Sequence, residues 1–297
     1  MNDKSFRLTS LLVGAVMISF SGVWVKISHV APEVSAFYRV LFGGLILVVP
    51  ALYRREVQWK GRRYFILCLA CGFFFALDLC FYHYSIHFVG PGLGTILPNL
   101  QVFILAFVGL VFLGEKIRPL FIVSIPIAVF GLFLIVGTDW ANLGSRYKTG
   151  IYLGLAAALC YSAFLLSLRK LQSDQGGLSF FFVLMTVSFS SSVFLGIEVL
   201  RGGETFAIPD TQSIFALLTL GLLSQCIGWI LITNALPGIK ASLSGLILLL
   251  QPCLAFVWDV LFFQRPTGFL NWFGVLMVLA GIYLGSLKPA GPKKQPE

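Results

Sequence analysis

Charge is scarce in this chain of 297 residues: Asp, Glu, Lys and Arg together make up 11% of it, against 58% hydrophobic residues. That scarcity excludes a water-soluble fold of this length, which needs far more polar surface. The apolar runs also lack polar–apolar alternation, which excludes a membrane β-barrel. No phosphate loop of the form GxxxxGK[ST] occurs, so ATP hydrolysis within the chain is excluded. Carboxylates are isolated within the apolar runs, whereas intramembrane lipid-modifying chemistry needs them clustered around a metal, or a nucleophile beside a base. Six cysteines, at 68, 71, 80, 160, 226 and 253, all fall inside apolar runs. Cys68 and Cys71 form a CxxC with no second pair and read as small packing residues, so no disulfide, metal or cofactor is expected.

What is present is length of apolar helix. Crossing about 30 Å of hydrocarbon takes roughly 20 apolar residues, and ten runs near that length can be counted. Their cores are about 9–25, 34–53, 64–86, 91–113, 119–137, 149–168, 179–199, 212–233, 240–263 and 268–287. A spanning segment must satisfy its own backbone hydrogen bonds, which predicts an all-α integral membrane protein of ten transmembrane helices. No small-residue cleavage site separates the first two runs, so the first is expected to be a retained helix rather than a signal peptide.

The net charge of +9 follows topology. A cytoplasmic N-terminus places fifteen Lys and Arg, from Lys4 and Arg7 to Lys293 and Lys294, on one side. Lys26, Arg146, Lys148, Arg201 and Arg265 fall on the other, and Arg39 lies within a helix. This is the positive-inside bias of an N-in, C-in chain, and no nucleic-acid partner is needed to explain it.

The longest central polar joint leaves five runs on each side. An odd number per half turns equivalent halves upside down relative to each other. A shift of 150 residues pairs Leu100 with Leu250, Gln101 with Gln251, Phe112 with Phe262 and Gly131 with Gly281 without a gap. The expected organisation is a first repeat over 1–137, a connector over 138–148, an inverted second repeat over 149–287 and a basic tail over 288–297.

The segments "AFYRVLFGGLILV" (36–48), "LQVFILAFVGLVFLGEKI" (100–117), "LAAALCYSAFLLSLRK" (155–170) and "ASLSGLILLLQPCLAFV" (241–257), with the glycine at 131, resemble the paired signatures of EamA-type transporters of the drug/metabolite transporter superfamily. The resemblance implies a ten-helix carrier with a 5+5 inverted repeat, in a superfamily many of whose members export amino acids or other metabolites. It also implies importance for the arginine at 39. Two departures stand out. The motif Leu113-Gly114-Glu115 becomes Phe263-Gln264-Arg265 in the second half, and the mid-helix Pro252 has Val102 as its counterpart, with Pro98 one turn earlier. The second departure predicts that the two helices bend at different heights.

Ionisable groups at lipid depth cost several kcal/mol unless they face protein or water, which makes them functional candidates. Arg39 and Asp78 each lie roughly 8 to 12 Å inside the same surface by helical rise, so they can meet. Two roles stay open: a fixed ion pair between helices, or an Asp78 that binds a proton or a cationic part of a substrate. Tyr82 and Ser85 share the helix face of Asp78. His83, one turn before the interfacial His87, is a candidate pore-lining group or proton relay. Asp259, near a helix end beside Trp258, is a third proton-coupling candidate or a surface anchor. Asn99, Gln101, Gln251 and Trp258, with Tyr161, Gln225 and Trp229 from the second half, complete the expected cavity. Pro98 and Pro252 are candidate hinges.

These residues predict a secondary transporter, an exporter or exchanger of a small metabolite such as an amino acid, in a cell membrane, with the bacterial inner membrane expected. Proton coupling through Asp78 is the expected drive, with uncoupled exchange the alternative. Other readings are a flippase for a lipid-linked sugar and an intramembrane lipid-modifying enzyme. The expected partners are a small solute and the lipid bilayer, with the chain a monomer or homodimer.

Overall fold

The computed structural model describes residues 3–55, 61–136, 145–173 and 180–287. Residues 137–144, most of the connector, and the basic tail lie outside these, as do the side chains of His87 and Thr95. The described residues form helices and turns. The first repeat contains α1 (Asp3–Ser19), α2 (Ser21–Lys26), α3 (Pro32–Tyr53), α4 (Arg62–Asn99), α5 (Gln101–Val111) and α6 (Pro119–Val136). The second contains α7 (Ser145–Ser173), α8 (Phe180–Gly202), α9 (Thr211–Thr219), α10 (Trp229–Ala235), α11 (Ala241–Leu248), α12 (Leu250–Phe263) and α13 (Phe269–Ser286). Eight helical spans are long and apolar enough to cross a membrane, and two shorter apolar helices, Ile96–Val111 and Pro119–Ile135, accompany them.

Each helix starts where its sequence permits. Pro32 opens α3 at the first turn, where its missing N–H costs nothing. Asp210 caps α9 by accepting from the Ser213 N–H at 2.7 Å. A hydrogen bond from His29, joined by that cap, holds the Asp210 carboxyl down at about 2. Being depressed, this carboxylate supports the cap fully above the ordinary Asp range and loses it only as pH falls towards 2.

α4 covers both the third and the start of the fourth predicted run. A straight helix would set Ser85 and Leu97 about 18 Å apart. Yet Ser85 Oγ and Leu97 Cβ both lie within 3 Å of where a Cβ on Gly154 would stand, so the axis of α4 doubles back between them. α7 fills the angle of this bend, and Ser85 Oγ donates to the Gly150 carbonyl at 2.8 Å.

The inversion of the halves is visible in one crossing. α6 and α13 occupy equivalent places in the 150-residue shift and pack along each other. A Cβ on Gly131 would stand 2.6 Å from the Gly274 carbonyl, and one on Gly281 2.8 Å from the Ser124 carbonyl. Advancing along α6 therefore means retreating along α13. Equivalent helices that run antiparallel are related by a two-fold axis across the helices, as an inverted repeat requires.

The expected difference in bending height is not found. The helix following α4 breaks at Leu100, and that between α11 and α12 breaks at Leu249, one residue apart on the repeat. Both breaks tighten into the same turn, with Leu100 N donating to Leu97 O at 3.1 Å and Leu249 N to Leu246 O at 3.2 Å. Pro98 lies before the first break and Pro252 after the second, so the two prolines withdraw their N–H groups from successive turns on either side of it.

Gly131 and Gly274 leave room only for hydrogen. Gly131→Ala and Gly274→Ala should each destabilise by about 1 to 3 kcal/mol, the usual cost of overpacking. Because the two sites face each other, the double variant should lose less than the summed losses in thermal unfolding; additive losses would show that they do not touch.

Candidate functional site

Four predicted residues from both repeats meet at the centre. Arg39 on α3 lies within electrostatic reach of Asp78 on α4 and Tyr161 on α7, and the Tyr161 hydroxyl adjoins the Gln251 carboxamide on α12. Asp78 is buried. Arg39 and Asp78 nevertheless form no direct salt bridge, so the tight fixed pair is not what the geometry builds. Their attraction acts across a gap, in surroundings where charges are poorly screened.

Aromatic rings enclose this centre. The Arg39 guanidinium carbon sits 5.9 Å from the Phe75 ring centroid, within cation–π range. Phe75 stacks on Phe164 at 4.5 Å, and Trp229 meets both edge-on, at 5.7 and 4.8 Å. Tyr161 continues the stack through Phe164. Within this network three buried donors, Arg39 Nε, Trp229 Nε1 and Gln251 Nε2, make no well-formed hydrogen bond among the described residues, Gln251 Nε2 having only the adjoining Tyr161 hydroxyl. Buried donors are almost always paired, so three without a partner in one network of packed side chains are unusual.

Phe75 and Phe164 are members that polarity could not reveal, being apolar side chains in an apolar chain. Their only signal is helical spacing: Phe75 stands three residues before Asp78, and Phe164 three after Tyr161.

Other expected residues have different neighbours. Gln225 donates to Ser188 Oγ at 2.9 Å and lies against Gly43, tying α8 to α3. It sits in a π-helical stretch, Leu220–Gly228, that prolongs α9 into α10. Gln101 is fully buried and donates to the Gly245 carbonyl at 3.2 Å, joining α5 to α11. Trp258 donates to Ser19 Oγ at 2.8 Å and stacks on Phe20 at 4.3 Å, so it fastens α12 to α1. Asn99 closes α4 beside the Leu100 turn. Tyr82 and His83 contact each other's rings, the buried His83 Nδ1 has no partner among the described residues, and Glu33 contributes to the field on His83. Asp259 lies near the end of α12 between Lys26 at 3.0 Å and Arg265 at 3.5 Å, a partly exposed triad.

Glu115, named in the sequence only as part of the Leu113-Gly114-Glu115 motif, makes the most extensive polar contact between the two repeats among the described residues. Gly114 takes the left-handed conformation, φ 62°, and turns the chain so that Glu115 N donates to Gly109 O at 2.8 Å. The side chain lies over Gly109, where a Cβ would stand 2.5 Å from its carboxylate. From there it crosses to the other repeat, accepting from Ala241 N at 2.5 Å and from Ser242 Oγ at 2.6 Å at the start of α11. Arg169 completes the set at 3.5 Å. A carboxylate on the first N–H groups of a helix meets both the unpaired donors and the positive end of the dipole.

The second repeat keeps the turn and exchanges the charges. Gln264 is left-handed like Gly114, and Arg265 N donates to Asp259 O as Glu115 N does to Gly109 O. Asp259 occupies the place of Gly109 and Arg265 that of Glu115, so the guanidinium pairs with a carboxylate of its own helix.

Comparison with known proteins places this geometry. The model of the EamA-like transporter family matches twice, over residues 6–137 and 148–287. The chain is similar to the uncharacterized transporter YxxF of Bacillus subtilis (strain 168), 23% identical over 294 residues that cover 97% of this chain and 92% of that one. A protein of known crystal structure superposes with a TM-score of 0.82 at 14% identity, over 95% of this chain and 96% of that one, a likeness of fold alone.

Glu115→Ala removes the α11 cap and the partner of Arg169 together. It should destabilise by about 2 to 3 kcal/mol, seen as a lowered thermal midpoint. Glu115→Gln keeps an acceptor for α11 and should lose about half as much; an unchanged midpoint in both variants would show that the contact is idle.

Proposed function

Because the chain belongs to the EamA-like transporter family, we propose that it is a secondary transporter that exports or exchanges a small zwitterionic metabolite, such as an amino acid, by alternating access between its two halves. In this reading the chain crosses the cell membrane, a bacterial inner membrane, ten times with both termini in the cytoplasm. Supporting this orientation, Lys116, Arg118 and Lys240 line one cavity and Arg169 reaches the neighbouring Glu115, a cluster of cations of the kind that cytoplasmic ends carry.

The observation that carries the proposal is the group of three unpartnered buried donors inside an aromatic enclosure that both halves build. A substrate carboxylate supplies the missing acceptor to Arg39, Trp229 and Gln251. The ammonium of the same molecule then binds Asp78, which stands apart from Arg39 and is free of a direct ion pair with it. Substrate and proton compete for Asp78. A proton entering down its gradient displaces the ammonium, and loss of that proton on the other side restores the site, which makes the cycle an exchange. His83 passes the proton between Asp78 and the end of the helix where Glu33 lies. Asp259, held between two cations, anchors that end.

The test is flux in proteoliposomes of the full chain loaded with labelled amino acids. An acidic outside should accelerate efflux. Asp78→Asn should lose this pH response and bind substrate about ten- to hundredfold more weakly, the worth of one charged hydrogen bond, while some exchange persists. An Asp78→Asn protein with the wild-type pH response would refute coupling at this residue.

A further inference from the structure

At the end of the molecule where Glu115 docks lies a second enclosure, separate from the central site. The start of α1, the turn between α5 and α6, the approach to α11 and the end of α13 surround a cavity of about 580 Å³. That volume is in the range of small-molecule sites. Three cations line it, Lys116, Arg118 and Lys240.

Two of these cations are bound by carbonyl groups. Lys240 Nζ donates to the Lys116 carbonyl at 2.6 Å and Arg118 donates to the Leu287 carbonyl. A carbonyl positions a cation without neutralising it, and among the described residues none of the three forms an ion pair. The adjacent carboxylate, Glu115, is bound to the start of α11 and to Arg169. The cavity thus holds up to three uncompensated positive charges. Its remaining walls join Ser5, Ser242 and Ser286 to a larger apolar share, with Leu8, Phe121 and Leu243 among it.

A small inorganic anion would answer the charge and leave the apolar wall without purpose. A phospholipid answers both, with a phosphate at the cations and a chain along the apolar side. The location agrees, since this is the end with the cation excess. We propose that the cavity binds the headgroup of an anionic phospholipid. Lys116 and Arg118 belong to the first repeat and Lys240 to the second, so the lipid bridges the same joint that Glu115 fastens and holds that end closed.

The experiment is native mass spectrometry of the full chain in uncharged detergent, titrated with phosphatidylglycerol, with phosphatidylcholine or with sodium phosphate, and thermal unfolding under the same conditions. Phosphatidylglycerol should bind and raise the midpoint well beyond the other two. Each basic residue near an anionic lipid strengthens attraction about fivefold, so Lys116→Gln/Arg118→Gln/Lys240→Gln should weaken binding about a hundredfold. The charge-keeping variant Lys116→Arg/Arg118→Lys/Lys240→Arg should bind as the wild type does. Equal effects of phosphatidylcholine would overturn the proposal, as would equal stabilisation by phosphate, which would mark a site for a free anion. Undiminished binding by the glutamine variant, or loss in both variants, would overturn it too.

Discussion

A helix whose first N–H groups are buried away from water must find acceptors for them from another part of the protein. In this protein α11 begins against the other repeat, and Glu115 supplies those acceptors from across the molecule. The rest of the arrangement depends on that contact. It requires the left-handed Gly114 to turn the chain back and a bare Gly109 to leave room, and it draws Arg169 of α7 to the same carboxylate. Through α11 and the Leu249 break it also sets where α12 starts, and with it Gln251 at the central site.

The second repeat copies the backbone of this device without its reach. Gln264 keeps the left-handed turn, but Arg265 folds onto Asp259, and Lys26 joins from the end of α2. Lys26 is 53% exposed, whereas the Glu115 side chain is 6% exposed. Exposed ion pairs contribute little, and a buried charge held by several donors contributes much more. The two ends are therefore fastened unequally, with the Glu115 end the firmer. The proposed alternating-access cycle has a buried carboxylate contact to break in opening that end.

Much of this was legible in the residues. The all-α class follows from long apolar runs that must satisfy their own backbone, and the approach of Arg39 to Asp78 follows from their matching depth. What escaped did so for physical reasons. Depth along a helix can be counted, but direction around it is hard to read when every face is apolar, so Phe75 and Phe164 showed only in their helical spacing from Asp78 and Tyr161. The same uncertainty placed Gln101, Gln225 and Trp258 in the cavity, where the structure gives each a partner on a neighbouring helix. Proline positions suggested unequal bends, yet the breaks fall at Leu100 and Leu249, just after one proline and just before the other. Glu115 was visible as part of a motif, yet its destination lies 126 residues away and no local pattern announces it.

The central claim is that unpartnered donors at Arg39, Trp229 and Gln251 await a carboxylate while Asp78 awaits an ammonium. Its most direct test is a thermal-shift series on the purified chain with one amino acid in four forms: unmodified, carboxyl-amidated, N-acetylated and doubly blocked. The unmodified form of at least one amino acid should raise the unfolding midpoint, each single block should abolish most of the shift, and the doubly blocked form should give none. A shift that survives amidation of the carboxylate would contradict the account.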